Sequence, residues 1–144
     1  MKTFAKKLAH MLLGEYSAYY IYTLSPGPTT SSLFPHTQYR VELVDESDVA
    51  GSADPLIREQ SGYAGSGSYA YACFDNERIV GICFYWFGDR YLKRNFWPLA
   101  EREAKLVQII VHPEMRGRGV ATLLIASSFQ DMVHKGFNRV YARI

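Results

Sequence analysis

The chain has 144 residues, of which 48% are hydrophobic and 21% are charged, and its formal net charge at pH 7 is +2. These values fit one globular domain with a core of its own. The small net charge argues against a dedicated nucleic-acid-binding protein, and no apolar run reaches the roughly 18 residues that a membrane-spanning helix needs.

The two cysteines, Cys73 and Cys83, fall in apolar stretches that predict strands. Their spacing matches no metal or redox motif, so we expect two buried reduced thiols and no metal site. The N-terminal lysines precede an apolar stretch without a small-residue cleavage site, which argues against a signal peptide. We therefore expect a cytoplasmic protein.

Residues 1–24 carry apolar side chains at helical spacing and predict an amphipathic helix. Its apolar stripe consists of Phe4, Leu8, Met11, Leu12, Tyr16 and Tyr19. Two interpretations stay open: the helix packs on its own domain or on a second copy, or it makes a peripheral membrane contact. Pro, Gly, Ser and Thr then dominate the chain, so we divide it into an arm and linker, residues 1–35, and a domain, residues 36–144.

The domain begins with a predicted strand at residues 39–44 and a helical stretch from about Val49 to Glu59, where Pro55 favours two short helices. Residues 61–68, rich in Gly and Ser, predict a flexible loop that either closes over a substrate or simply connects two elements. Two strands follow at residues 69–74 and 79–87, joined by a tight turn.

Residues 88–101 are irregular, basic and aromatic, and we expect either a surface loop or part of an acceptor site. A fourth strand is predicted at residues 104–112, a helix at 120–134 and a fifth strand at 140–144, with Gly136 as the C-terminal cap of the helix. The predicted buried face of this helix consists of Val120, Leu123, Leu124, Ser127, Met132 and Val133.

The turn between the fourth strand and the helix, which includes Arg116, Gly117, Arg118 and Gly119, predicts an anion site. Unpaired N–H groups and the helix dipole favour negative charge there, and the two arginines add full positive charges. Neither the P-loop nor the dinucleotide-binding fingerprint fits, because Gly-Lys-Ser/Thr is missing and Thr122 stands where a third glycine is needed. A phosphate or pyrophosphate is the simplest ligand.

The pattern Val-x-Pro-x-x-Arg-Gly-x-Gly-x-Ala, from Val111 to Ala121, resembles the acyl-CoA motif of the GNAT family of N-acetyltransferases. Its key positions here are Arg116, Gly119 and Ala121, and the preceding strand and following helix also match. The resemblance implies an α/β (α+β) fold with a mixed, mostly antiparallel sheet flanked by helices, in the order β-α-β-β-β-α-β. This chain would add an N-terminal helix.

The resemblance implies acetyl-CoA as co-substrate, with its pyrophosphate on the N–H groups of the turn and its pantetheine arm along the fourth strand. A backbone N–H of that strand would also stabilise the oxyanion. The residues so implied for donor binding are Ile109, Ile110, Val111, Arg116, Gly117, Arg118, Gly119, Val120 and Ala121.

An alkyl amine has a pKa of about 10.4, so its attack near pH 7 needs a base or a water relay. Glu103 and His112, near the two ends of the fourth strand, are the candidates, and Glu101 is a third. Each also has an ordinary explanation: Glu103 as an exposed charge on a strand, and His112 as a side chain packed against the turn.

We therefore predict an acyltransferase that moves the acetyl group of acetyl-CoA to a primary amine of a small molecule, such as an amino sugar. Arg90, Lys93 and Arg94 favour a negatively charged acceptor, for example a nucleotide-linked amino sugar. The alternatives are an inactive CoA-binding or structural module, a protein N-terminal or lysine acetyltransferase, and a membrane-surface protein that functions through residues 1–24.

The family usually continues beyond the fifth strand through a helix and two strands, and that section often carries a tyrosine that protonates the CoA thiolate. This sequence ends at Ile144, and Tyr141 lies within the fifth strand and is not assigned that role. We expect that the chain is a fragment, or that the N-terminal arm or a partner, such as a second copy in a homo-oligomer, completes the sheet.

Overall fold

The computed structural model describes residues 19–24, 37–92 and 99–143. The strands are β1 (Tyr19–Thr23), β2 (Arg40–Val44), β3 (Ser68–Asp75), β4 (Arg78–Trp86), β5 (Glu103–Val111) and β6 (Arg139–Arg143). The helices are α1 (Glu46–Ala50), α2 (Pro55–Arg58), α3 (Gly88–Leu92) and α4 (Val120–His134), and 3₁₀ turns lie at Ser61–Tyr63 and Pro113–Met115.

The six strands form one sheet in the order β1-β6-β5-β4-β3-β2. Neighbouring strands are antiparallel except β5 and β6, which are parallel and joined through α4. The predicted fold class, a mixed and mostly antiparallel sheet flanked by helices, is confirmed. The sheet gains one strand, β1, that the sequence did not predict.

The predicted N-terminal helix is wrong at residues 19–23, which form β1 and pair antiparallel with β6. Tyr, Ile and Thr favour strands, and the edge of β6 offers unpaired backbone groups, so strand pairing overrides the helical spacing of Tyr19. The Leu24 N–H extends the contact and donates to Asn138 O at 2.9 Å. The N-terminal arm therefore covers the edge of the fifth predicted strand; residues 1–18 and the proposed boundary after residue 35 lie outside the described residues.

The helical stretch after β2 is two short helices, as Pro55 indicated. The first starts earlier than predicted, at Glu46, because Asp45 accepts from the Asp48 N–H and the Asp48 carboxylate accepts from the Asp45 N–H. The second starts at Pro55, where the Asp54 carboxylate accepts from the Leu56 N–H at 3.0 Å.

The sheet has an apolar core on each face. Cys83 and Tyr85 of β4 belong to the cluster that packs with α4, and Ile82 and Phe84 belong to the cluster that packs with α1 and α2. Both cysteines are free and buried, as predicted. In the described part of the chain, no helix is long and apolar enough to cross a membrane, and no cluster of His, Cys, Asp or Glu side chains could hold a metal ion.

Helix α4 has the predicted bounds and the predicted cap. The Gly136 N–H donates to Val133 O and the Phe137 N–H donates to Met132 O, both at 3.0 Å, which is a Schellman motif. Four residues of its predicted buried face are buried, and Val133 is half-buried against the core. Ser128, and not Ser127, is the fully buried serine, with its Oγ 2.6 Å from Tyr85 Oη. A step of one residue turns a helix by roughly 100°, so the neighbouring serine faces partly away from the core.

Candidate functional site

Strand β5 loses its neighbour on one side halfway along. It pairs with β6 only through residues 103–106, whereas its pairing with β4 continues to Val111. Among the described residues, no strand therefore covers the second edge of β5 from Val107 onward. The predicted donor-binding residues Ile109, Ile110 and Val111 lie on this free edge and are half-buried.

A β-bulge between β4 and β5 lies at the point where β5 and β6 separate. On β4, Phe84 pairs with Gln108 and Tyr85 pairs with Leu106, so Val107 has no partner opposite it. A bulge bends the strand and disrupts the local ladder. The free edge of β5 therefore begins at Val107, whose backbone lies outside the regular pairing with β4.

The glycine turn, residues 116–119, is held between two buried anchors. Met115 is 5% exposed and Val120 is 2% exposed, whereas all four residues between them are exposed. Gly117 and Gly119 have φ of 78° and 81°, a conformation that favours glycine. The alternation of buried anchors and permissive glycines explains why the chain makes this tight surface turn.

The N–H groups at the start of α4 are left without backbone partners. The first helical bond runs from the Leu123 N–H to Gly119 O at 2.9 Å. No backbone acceptor among the described residues faces the N–H groups of residues 117–122. Arg116 and Arg118 are exposed and form no ion pair with a described residue. These features suit an anion.

Gly81 brings α4 close to the sheet. A Cβ atom on Gly81 would lie 2.9 Å from Val120 Cγ1 and 3.2 Å from Ile110 O. Only a glycine therefore lets the first turn of α4 pack directly beside the free part of β5. The glycine turn and the free edge are parts of one surface for this reason.

His112 connects the end of β5 to the start of α2. Its Nε2 lies 2.5 Å from Asp54 Oδ2 and its Nδ1 lies 3.8 Å from Glu114 Oε2. Glu114 also pairs with Arg78, whose hydrogen bond lowers the pKa of the glutamate. His112 is 9% exposed and both of its ring nitrogens face carboxylates, so its side chain links the end of β5 to the start of α2.

Glu103 is held at the other end of β5. Its Oε1 accepts from the Ala100 N–H at 2.8 Å, and its Oε2 accepts from Tyr141 Oη at 2.7 Å. It lies four positions before Val107, about 13 Å along an extended strand. Glu101 lies exposed in the turn before the strand. The structure therefore does not bring Glu103 and His112 together.

The clamped segment, residues 60–67, replaces the predicted flexible loop. The Arg90 guanidinium donates to Ala64 O at 2.6 Å, to Gly62 O at 2.9 Å and to Ser66 O at 3.1 Å. It also lies over the Trp86 ring, 4.5 Å from its centroid, and burial lowers its pKa. Arg90, which we expected to contact an anionic acceptor, is thus bound to protein carbonyls.

A cavity of about 810 Å³ lies between the clamped segment and α3. Trp86 and Phe87 give it aromatic walls, and Glu46 and Asp89 contribute carboxylates. Lys93 and Arg94, the other two residues behind the prediction of an anionic acceptor, lie outside the described residues. Arg90 also lines the cavity, so the described lining carries two carboxylates, one guanidinium and two aromatic rings.

Sequence reasoning missed Gln60 and Gln108. The Gln108 Nε2 donates to Gln60 Oε1 at 3.0 Å, and the Gln60 Nε2 donates to Leu56 O at 3.1 Å. The available signal was composition, because Gln108 is the one polar residue between Leu106 and Val111. Nothing in the sequence indicated its partner, which is 48 residues away.

Comparisons with known proteins agree with this architecture. The model of the acetyltransferase (GNAT) family matches residues 33–144. A similar solved structure is an aminoglycoside acetyltransferase from an uncultured soil metagenomic sample in complex with sisomicin, with 16% identity and a TM-score of 0.54 over 74% of this chain and 77% of that one. No curated protein matches the chain.

Two further solved structures are similar. The ribosomal-protein-alanine N-acetyltransferase of Brucella melitensis biovar Abortus 2308 has 18% identity and a TM-score of 0.54, over 72% of this chain and 78% of that one. AAC(6')-Iy in complex with the bisubstrate analog CoA-S-monomethyl-acetylneamine has 15% identity and a TM-score of 0.51, over 74% and 79%. Identities this low show a shared fold alone.

Proposed function

Because the chain belongs to the acetyltransferase (GNAT) family, we propose that it transfers the acetyl group of acetyl-CoA to a primary amine of a small molecule. The observation that carries this proposal is the free edge of β5, which begins at the Val107 bulge and leads into the glycine turn. One continuous surface thus offers strand-edge hydrogen bonds followed by an anion site.

The residues present fit acetyl-CoA. The backbone of Ile109, Ile110 and Val111 would pair with the amide groups of the pantetheine arm, as an added strand would. The N–H groups of residues 117–121 would bind the pyrophosphate, and Arg116 and Arg118 would neutralise its charge. When bound, acetyl-CoA supplies the activated thioester.

In the proposed reaction the amine nitrogen attacks the thioester carbonyl carbon, the C–N bond forms, the C–S bond breaks and CoA leaves as a thiolate. A backbone N–H of β5 near the bulge would stabilise the negative charge on the carbonyl oxygen. Such a donor requires no particular side chain, which is consistent with the apolar sequence of the strand.

The amine must lose a proton during the reaction, and Glu103 and His112 remain our candidates. Both are hydrogen-bonded within the protein, so either would act through a water molecule. We would measure the pH dependence of kcat/KM for Glu103→Gln and His112→Gln. Loss of the acidic limb in one variant identifies the base; retention of that limb in both variants means that neither residue takes the proton.

We propose an acceptor that carries more than one amine, such as an amino sugar. Glu46 and Asp89 would attract a second ammonium group. The similar structure from an uncultured soil metagenomic sample is an aminoglycoside acetyltransferase, and aminoglycosides are amino sugars of this kind. The cytoplasm is the proposed compartment, in keeping with two free thiols.

Thiol release from acetyl-CoA would test the proposal with a panel of ethanolamine, glucosamine, neamine, spermidine and a peptide with N-terminal alanine. Turnover of a small amine supports it. Turnover of the peptide alone would indicate a protein acetyltransferase, and acetyl-CoA binding without any turnover would indicate an inactive CoA-binding module. Either of those results would contradict the proposal.

A further inference from the structure

We propose that the side-chain carbonyl of Gln108 binds the acceptor amine, and that Gln60 holds this carbonyl in the correct orientation. The proposal rests on the function proposed above and names the group that would orient the attacking nitrogen. It concerns a residue of β5 itself, next to the bulge at Val107.

The chain of hydrogen bonds fixes the orientation of both amides. Leu56 O can only accept, so the amide nitrogen of Gln60 must face it, at 3.1 Å. The Gln60 oxygen then faces Gln108 and accepts from its Nε2 at 3.0 Å. This leaves the oxygen of Gln108 without a partner among the described residues.

Burial supports a fixed arrangement. Gln60 is 8% exposed, so its amide is shielded from water and depends on these two hydrogen bonds. Gln108 is half-buried, which leaves part of its side chain accessible. An accessible carbonyl in a fixed orientation is suited to bind an N–H group of a ligand.

The position of Gln108 suits an acceptor rather than the donor. Gln108 pairs with Phe84, and its neighbours Val107 and Ile110 pack with the core cluster below α1 and α2. The glycine turn leads into α4, which packs on the opposite face of the sheet. The two substrates would therefore reach the free part of β5 from opposite faces, and meet at the bulge.

The chemistry of an amide limits what Gln108 can do. Its carbonyl accepts a hydrogen bond from the amine and so directs the nitrogen lone pair, but it cannot take the proton. We therefore expect substitutions of Gln108 to change acceptor binding and kcat/KM while the shape of the pH profile stays the same. A general base would behave in the opposite way.

The test compares Gln108→Met and Gln60→Met with the matched control Gln38→Met, which makes the same change at an exposed site. The probe is the panel amine that the parent enzyme acetylates with the highest kcat/KM. Loss of one hydrogen bond should lower the kcat/KM of Gln108→Met about tenfold, mainly through the acceptor KM. Gln60→Met should show a smaller loss in the same direction, and the Kd for acetyl-CoA should stay unchanged in all three variants.

An unchanged acceptor KM and kcat/KM in Gln108→Met would overturn this inference and leave the proposed function intact. If Gln108→Met fails to fold, Gln108→Asn, which keeps the amide but shortens the side chain, is measured in its place. An equal loss in acceptor and acetyl-CoA binding would also overturn the inference, because it would mean that the pair only supports the fold. If the parent acetylates no panel amine, the proposed function fails and this inference fails with it.

Discussion

The glycine turn and the clamped segment are both tight, glycine-containing stretches, but they are built in different ways. The glycine turn depends on the backbone: two glycines at positive φ and N–H groups without backbone partners. The clamped segment depends on a distant side chain, since Arg90 binds carbonyls that are 24 to 28 residues away. A site made by the backbone is recorded locally in the sequence, whereas a site closed by side chains is not.

Charge separates the two regions as well. Arg116 and Arg118 are exposed at the glycine turn, whereas two carboxylates, Glu46 and Asp89, line the cavity beside the clamped segment. The cavity also holds the Arg90 guanidinium, but that group is bound to protein carbonyls. An anionic donor and a cationic acceptor would therefore each meet a surface of opposite charge. Substitutions that affect one region alone should separate donor binding from acceptor binding.

The largest effect should come from Gly81, which lets α4 approach the sheet. We expect Gly81→Ala to cost about 3 kcal/mol of unfolding free energy, the upper end for overpacking, because the fixed carbonyl of Ile110 is one of the atoms a Cβ would crowd. Acetyl-CoA binding should also weaken, since the start of α4 must move away from β5. Urea unfolding and calorimetric titration would check both, and an unaltered midpoint would refute the close packing.

Removal of the Arg90 guanidinium should weaken acceptor binding and leave donor binding unchanged. We expect Arg90→Met to cost about 2 kcal/mol, because hydrogen bonds from a charged donor to several carbonyls are lost. The clamped segment should become susceptible to proteolysis and the acceptor KM should rise, while the Kd for acetyl-CoA stays the same. Arg58→Met, which removes one carbonyl contact at Ser52, is the matched control. Equal proteolysis of the two variants would contradict the clamp.

A smaller effect is expected from Gly119→Ala. The position has room for a methyl group, so the cost is backbone strain of about 1 kcal/mol at φ of 81°. Gly136→Ala is the matched control, since Gly136 also has open space and a positive φ of 94° but lies at the far end of α4. Both variants should lose similar stability, and only Gly119→Ala should weaken acetyl-CoA binding. Weakening in both would mean that the effect is a general loss of stability.

The smallest effect near neutral pH concerns the two thiols. Burial raises the pKa of Cys73 to about 11 and that of Cys83 to about 12. The unfolded chain loses these protons near the ordinary thiol pKa of about 8.5, whereas the folded chain keeps them to higher pH. The stability that the two buried thiols contribute is therefore fully present below that pH and is lost as the pH rises toward 11 and 12. Urea midpoints between pH 7.5 and 10.5 should decline less steeply in Cys83→Ala than in the parent. Equal slopes would contradict the assignment.

The features that could be predicted from the sequence are those that depend on neighbouring residues. The bounds of α4, its cap at Gly136 and the strand–turn–helix order around Gly119 were predictable, because periodicity, glycine position and proline are local signals. Residues 19–23 were not, because their strand depends on the edge of β6. The spacing of Tyr19 fits a helix equally well, and only a partner strand decides between the two.

The candidate site shows a similar limit. The residues of the glycine turn were predictable from one motif, but their contacts with acetyl-CoA stay a prediction. The surroundings of Glu103 and His112 were not predictable, since their partners Tyr141 and Asp54 lie 38 and 58 residues away in the chain. Side-chain contacts across such separations form only after the sheet has assembled.

A donor site at the glycine turn is tested by the stability of the protein with acetyl-CoA, measured for the parent and for the double variant Arg116→Glu, Gly119→Asp. Arg102→Glu, Gly136→Asp makes the same change in charge away from the glycine turn. At a hundredfold excess over Kd, acetyl-CoA should stabilise the parent and this control by about 2.7 kcal/mol. That stabilisation should be lost in the Arg116, Gly119 variant; an equal rise in Tm in all three proteins would contradict a donor site at the glycine turn.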